Sequence, residues 1–438
     1  MIRNLYEDEE IERLDRDALK ALQLLRLKKT VGTALITPFY KERLKAAGIS
    51  SPEDIKTLED IRKIPYTTKD DLRDAYPYGL LSVDKDEIVR MHASSGTTGT
   101  PTVIYHTQKD LDHWTNMTVR SLKATGCTRG DVFQNMMTYG LFTGGIGLHY
   151  GAEKLGMLVI PASSGNTRRQ FQLMKDFQTS TVHATPSYLL HLYSRMEELG
   201  YKLEDFNLKR ALIGAEPHSE EIRQKIEELF GIDAYNSYGL SEMNGPSVAF
   251  ECTEKKGMHI WEDAYYVETI DRDSLEPVEA GIEGELVLTI LIRTGTPILR
   301  YRTKDLTTVI PEPCVCGRTS RRITRIKGRT DDMLIINGVN VFPSQIEEII
   351  MKMPGIGTNY LIKVNKEGTL DKLTIQTEVG ADLFTDNTQD LHNLRKRIIE
   401  ELSASITIRA AVELHEPGFL PVQQGKAIRV IDERGGVF

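Results

Sequence analysis

Cysteine is scarce: four in 438 residues, too few for a disulfide framework, so each is expected to be a core thiol, a reactive group or a metal ligand. Long apolar runs are lacking too. No stretch approaches the eighteen or more apolar residues of a membrane helix, and the opening MIRNLYEDEE holds no apolar signal core. These absences argue against a membrane partner and for a cytoplasmic protein. A basic excess is also missing. The net charge of −8 excludes a nucleic-acid partner held by a general positive field, and leaves only a local cluster, Arg318 to Arg329, to be explained. Internal repeats and low-complexity tracts are absent. At this length one core stops growing, so two or more domains are expected.

What is present begins with Ser94-Ser95-Gly96-Thr97-Thr98-Gly99. The glycines let a backbone approach an anion, and the hydroxyls add donors to the backbone N–H groups. A flexible Ser/Gly/Thr connector has the same composition. No lysine follows Gly99 until Lys109, which excludes a Walker A loop. Beyond it, short apolar runs at 131–137, 156–161, 180–184, 210–214 and 234–238 alternate with helical patterns. One helix is capped by Thr167 with Gln170 ahead of Phe171, Met174 and Phe177. Another is capped by Ser219 and stopped by Gly231. This βαβα order predicts an α/β fold with a parallel sheet, whose ligand lies beyond the strand carboxyl ends. The loops Gly214-Ala215-Glu216-Pro217 and Tyr238-Gly239-Leu240-Ser241-Glu242 fall there. From about 250 to 330 the pattern turns to alternating strands and reads as an antiparallel subdomain. From Met333 a compact α+β unit follows: a hairpin through Asn337-Gly338, a helix capped by Ser344 with Glu347, strands near 360–365 and 372–379, a helix over 388–404 and a strand near 410–416. The division expected is 1–330 for a large domain and 331–438 for a small mobile one.

Tyr238 offers a face for stacking on a base, and Glu242 a carboxylate for Mg²⁺ between phosphate oxygens. Asp305, placed just past a strand at Tyr301, is suited to ribose hydroxyls. Gly328-Arg329-Thr330-Asp331-Asp332 sets a phosphate-capable arginine and carboxylates at the domain boundary, and Lys426 sits on a late turn. Each alone also fits a solvated turn or linker. Their order breaks the tie: the chain resembles the adenylate-forming acyl-CoA synthetase superfamily, and within it the phenylacetate-CoA ligase family. The nearer match rests on His92 to Gly99, Tyr139 to Gly145, Asp331 to Ile335 and Gly338 to Glu347, and it runs the length of the chain.

The resemblance implies a two-step ligase using ATP, with AMP and pyrophosphate released, Mg²⁺ and coenzyme A, acting on an aryl acid, most simply phenylacetate, as a homodimer. It implies that Ser94 to Gly99 hold phosphates. Gly214, Ala215, Glu216, Pro217, Tyr238 and Gly239 then line the adenine, Glu242 serves Mg²⁺, and Asp305 and Arg329 approach the nucleotide. Lys426 bridges carboxylate and α-phosphate, and Asp331 is the hinge. Tyr139, Phe142, Gly144 and Gly145 lie where the aryl pocket is built. The family's loop lysine is replaced by Thr100 before Pro101, which bears on ATP affinity. Separately, Cys252, His259, Cys314 and Cys316 supply three sulfurs and an imidazole suited to a structural Zn²⁺, while Cys127 reads as a core thiol.

Overall fold

The computed structural model describes residues 5–94, 100–367, 370–380, 383, 388–406, 408–421 and 427–434. Ser95, Gly96, Thr97, Thr98, Gly99 and Lys426 therefore lie outside the described residues. The strands, in chain order, are a hairpin β1 (Ile88–Ser94) and β2 (Thr102–Thr107), then β3 (Val132–Asn135), β4 (Leu158–Ile160), β5 (Thr181–Ala184), β6 (Arg210–Gly214) and β7 (Asp233–Tyr238). There follow β8 (Ala249–Glu251), β9 (Met258–Ile260), β10 (Tyr265–Ile270), β11 (Glu283–Ile290), β12 (Tyr301–Ile310), β13 (Arg322–Ile323) and β14 (Gly328–Arg329).

Strands β4, β3, β5, β6 and β7 pair in that order and in parallel. Alternation explains why both faces are covered. Ala211 and Ile213 pack with Phe171, Leu189 and Ile226 on one side, while Leu212 and Tyr235 pack with Leu122, Leu148 and Phe133 on the other. The antiparallel strands expected from about 250 to 330 are present and join the parallel ones. Strand β8 pairs directly with β7, and the path continues β9, β13, β12, β11, β10 as one mixed sheet. Its core there unites Leu27, Val31 and Tyr40 with Trp261, Tyr265 and Leu288.

The C-terminal part has its own core of Ile336, Ile346, Ile362, Ile375, Ile398 and Leu402. It holds the hairpin β15 (Leu334–Ile336) and β16 (Val339–Val341), then β17 (Ile356–Glu367), β18 (Leu370–Val379), β19 (Ala411–His415) and β20 (Val430–Asp432), the last four in the order β19-β18-β17-β20. Asn337 and Gly338 turn the hairpin with φ of 50° and 82°, as a type I′ turn requires. The large N-terminal α/β domain and smaller α+β domain are thus present.

Two caps differ from expectation. Asn166, not Thr167, caps its helix, accepting from the Arg169 N–H at 3.2 Å. The Gln170 amide is spent on the Ser163 and Gly165 carbonyls at 2.8 and 3.0 Å, and Phe177 is 49% exposed. The helix Pro343–Met351 starts after Phe342, whose N–H donates to Gln345 Oε1 at 3.0 Å. Glu347 is thereby free to cross to the large domain. It accepts from the Ser219 N–H at 2.6 Å and from the Tyr360 phenol. No helix among the described residues is long and apolar enough to cross a membrane.

The arginine cluster is mostly architecture. Arg318 pairs with Glu12 at 2.7 Å, both side chains fully buried, and Arg321 and Arg16 share Glu262.

Candidate functional site

The carboxyl ends of β6 and β7 carry the two loops singled out from sequence. A Cβ on Gly214 would stand 2.4 Å from the Ser237 carbonyl oxygen, and one on Gly239 would stand 2.5 Å from the Gly245 backbone. Both loops therefore pack backbone against backbone, and larger residues are excluded. Glu216 does not face the open cleft alone. It accepts from the Ser187 N–H and hydroxyl at 2.7 and 3.0 Å and from the Ala427 N–H at 3.1 Å. The small domain is so anchored over this loop at the residue after Lys426.

Tyr238 is buried, and its phenol donates to Asp305 Oδ2 at 2.5 Å. Burial, reinforced by the Asp305 charge, raises its pKa well above the ordinary value, so the group remains a donor. Asp305 lies inside β12, not past its end. Glu285 pairs with Leu306 and Val287 with Arg302, so β12 carries extra residues there, with Lys304 at φ 68°. This bulge takes Asp305 out of the pairing with β11, while on the other edge it pairs with Arg329 of β14, and its carboxylate meets Tyr238. Arg329 donates to Asp305 Oδ1 and to the Thr303 carbonyl, both at 3.1 Å. It also forks onto Asp331 at 2.8 and 2.9 Å. Tyr238, Asp305, Arg329 and Asp331 thus form one chain of contacts.

Glu242 is 5% exposed. Its Oε1 receives the Thr102 and Ser94 hydroxyls at 3.3 and 3.5 Å. Ser94, the last residue of β1, and Thr102, the first of β2, face each other, so the carboxylate stands beside that end of the hairpin. A buried carboxylate among hydroxyls, with no ion pair among the described residues, is a hard-oxygen set that fits Mg²⁺.

A cavity of about 710 Å³ adjoins this point, lined by Ser94 and Ala215 and walled by Met91, Val103, Met136, Met137, Leu141, Phe142 and Tyr188. Of the expected pocket residues only Phe142 lines it. Tyr139 backs the wall, its hydroxyl accepting from Asn135 Nδ2 at 2.9 Å and lying 3.1 Å from His149 Nδ1. Burial pushes its pKa up to about 12. Gly144 and Gly145 are buried in the first turn of Thr143–Leu155. A Cβ on Gly145 would meet the Thr138 carbonyl at 2.6 Å, so that glycine admits a close helix start and does not open a slot. Met91, Ala93 and Val103 went unnoticed in the sequence, though their period of two beside the glycine loop marks one face of a hairpin.

The four expected soft ligands do converge. The ligand atoms of Cys252, His259, Cys314 and Cys316 lie within 4.8 Å of one another. Cys252 Sγ and Cys314 Sγ are 3.8 Å apart, and Cys316 Sγ is 3.4 Å from His259 Nε2. A tetrahedron with metal–sulfur bonds of ~2.3 Å has an edge of ~3.8 Å. His259 Nδ1 faces the Ser320 carbonyl at 3.2 Å, which assigns the proton there and leaves Nε2 as the donor atom for a metal. Cys127 is a buried core thiol.

Comparison with known proteins follows the same outline. The family model for AMP-binding enzymes matches residues 17–290, and that for the AMP-binding enzyme C-terminal domain matches 338–434. The chain is 44% identical over 430 residues to the phenylacetate-coenzyme A ligase of Aromatoleum evansii, covering 97% of each. It is 45% identical over 431 residues to that of Escherichia coli strain K12, again over 97% of each. A crystal structure of 2-hydroxyisobutyryl-CoA ligase with its acyl-AMP in the postadenylation state superposes with a TM-score of 0.93 at 28% identity, over 99% of this chain and 94% of that one. The same ligase with CoA in the thioesterification state, at the same coverage and 29% identity, gives 0.72.

Proposed function

The chain belongs to the AMP-binding enzyme family, beside the phenylacetate-CoA ligases, and from that premise we propose that it converts an aryl acetate, phenylacetate first, to its CoA thioester. It is an ATP-dependent acid–CoA ligase working through an acyl-adenylate. The observation that carries the choice of acid is the apolar cavity opening beside Ser94 and Ala215. An aromatic and methionine-walled chamber there puts a ring in apolar surroundings and its carboxylate arm at the phosphates.

In the first step a carboxylate oxygen bonds to the α-phosphorus of ATP as the bond to pyrophosphate breaks. In the second, the CoA thiolate bonds to the acyl carbon and AMP leaves. No protein nucleophile takes part, so the chain's work is positioning and charge stabilisation. Tyr238 and the 214–217 loop border the adenine, Asp305 accepts from the ribose, and Arg329 holds Asp305 in place. Glu242, with the Ser94 and Thr102 hydroxyls beside it, would hold Mg²⁺, which when bound neutralises phosphate oxygens. Lys426 is assigned by resemblance to the carboxylate–α-phosphate bridge, and Asp331 to the hinge. Better agreement with the postadenylation than the thioesterification relative supports reading the present domain arrangement as that of the first half-reaction. The Cys/His cluster would hold a structural Zn²⁺, since four protein donors leave no open position. A homodimer completes the proposal, checked by sedimentation.

The test is mass spectrometry of the products from purified protein, Mg²⁺-ATP, CoA and a panel of acids. Phenylacetyl-CoA with AMP is expected. Adenylate without thioester would redirect the second step to another thiol, and no product from any aryl acid would overturn the reading.

A further inference from the structure

We infer that the chain carries a second oxyanion site, of the phosphate class, in a basic pocket that shares no lining residue with the acid cavity. The pocket encloses about 260 Å³. That is below the roughly 300–1,000 Å³ of sites that enclose a whole drug-sized molecule, and suits a single phosphate group, free or at the end of a larger ligand.

Three segments far apart in sequence supply its basic residues. Helix Arg16–Ala34 gives Arg26 and Lys29, helix Gln108–Ala124 gives Lys109 and Arg120, and the link from β11 to β12 gives Arg293. Among the lining residues the one carboxylate is Asp263. It is already shared by Arg120 at 2.8 Å and Arg26 at 3.2 Å. Lys29, Lys109 and Arg293 form no ion pair with any described residue, so the pocket keeps uncompensated positive charge.

Arg293 is the most telling of them, at 2% exposed. Its Nη1 donates to Asn244 Oδ1 at 3.0 Å and its Nε to the Thr296 carbonyl at 2.7 Å, while Nη2 has no partner, and neither does Nε of buried Arg120. Burial holds the Arg293 pKa down to about 10. The buried Asp110 carboxylate acts on it only through space, without an ion pair, and against its burial; a buried guanidinium with no paired counter-charge destabilises a fold, and an oxyanion in this pocket supplies one. Lys29 and Lys109, both exposed, stand at the rim where they can draw an anion in without being needed for folding.

The phosphate can come from two sources: free inorganic phosphate, or the 3′-phosphate of CoA, the second of which rests on the proposed ligase reading. Two measurements on wild type and the K29A/K109A double variant separate them. For a free-phosphate site, calorimetric titration with inorganic phosphate shows binding that is about tenfold weaker in the variant, the loss of roughly one charge-assisted contact. For a CoA site, wild type prefers CoA over dephospho-CoA by about tenfold in kcat/KM and the variant loses that preference. If phosphate affinity and the CoA to dephospho-CoA ratio are both the same in variant and wild type, the inference is overturned. An absence of any thioester product would sink the ligase reading while leaving the phosphate titration to decide this one.

Discussion

Replacing Asp305 by Asn tests the nucleotide side of the site with little change of shape. The carboxylate now takes the Tyr238 phenol at 2.5 Å and the Arg329 guanidinium at 3.1 Å. Asn retains one acceptor for Arg329, which also keeps its fork on Asp331, and the Tyr238 hydroxyl can turn to accept from the new amide. Loss of fold stability should therefore be modest, about 1–2 kcal/mol, as when a charged hydrogen bond becomes a neutral one. Binding suffers more, because a hydrogen bond from ribose to a charged acceptor is worth about 1.5–3 kcal/mol. That corresponds to a rise of about 10–100-fold in the KM for ATP. The contact is made before and during reaction alike, so kcat should change less than about threefold. The assay is ATP–pyrophosphate exchange at saturating acid, with thermal melting as the control for folding. Repeating it with 2′-deoxy- and 3′-deoxy-ATP closes a cycle: wild type should lose affinity for one of them, and D305N should lose no more. If D305N leaves the KM for ATP unchanged, or suffers the full deoxy penalty as wild type does, Asp305 is not the ribose acceptor and the argument from the bulge fails.

Removing a metal ligand should show at the far side of the sheet. Wild type is expected to carry one zinc per chain by elemental analysis, and C316S to lose it and melt lower by up to about 4 °C, since a clip across 252–316 removes up to ~4 kcal/mol of unfolded-state entropy; full stability without zinc would refute the site. Filling the acid cavity with V103F should cut kcat/KM for phenylacetate about 10–100-fold while sparing small aliphatic acids, and unchanged selectivity would move the acid elsewhere. Glu347 is held above the ordinary carboxyl range by burial, against the lowering effect of the Tyr360 hydrogen bond. A raised acid pKa means the folded state binds the extra proton, so its contribution to stability is present below the ordinary glutamate pKa and lost as pH rises through the raised value. The melting difference between wild type and E347Q should accordingly shift in favour of wild type as pH falls from 8 to 5, and a shift the other way would show that the charged form is the one preferred.

Much of the architecture was legible because it is local. Short apolar runs alternating with helical patterns between residues 131 and 238 predicted the parallel sheet, and Ser219 and Gly231 bound their helix as read. The errors arose where a tertiary contact outbid a local preference. Gln170 fits a capping box, but its amide satisfies two loop carbonyls. Glu347 has the spacing of a cap partner for Ser344, but it reaches the other domain. Asp305 looks like a strand terminus because a bulge interrupts the alternation without ending the pairing. Strand β20, three residues long and parallel to β17, has too little pattern to be found at all.

The candidate site divides along the same line. Cysteine and histidine are rare enough that their co-occurrence pointed to one cluster even across 62 residues between Cys252 and Cys314. Apolar cavity walls carry no such signal: Met91 is one exposed strand residue, and Met136 and Tyr188 are ordinary core residues, until the hairpin, the end of β3 and the helix Pro186–Met196 are brought together.

Arginine makes the point most sharply. Arg318, Arg321, Arg322 and Arg329 read as one basic patch, yet Arg318 closes on Glu12, 306 residues away, and Arg321 on Glu262. Arg322 donates to the carbonyls of Lys256 and Glu312. Only Arg329 of these reaches Asp305. In the basic pocket, by contrast, Lys29, Lys109 and Arg293 meet no carboxylate in an ion pair among the described residues, and no window of sequence joins them. Whether a basic residue is architecture or a binding group is thus decided by whether a carboxylate from a distant segment reaches it first, and that is a property of the packed chain rather than of its neighbours in sequence.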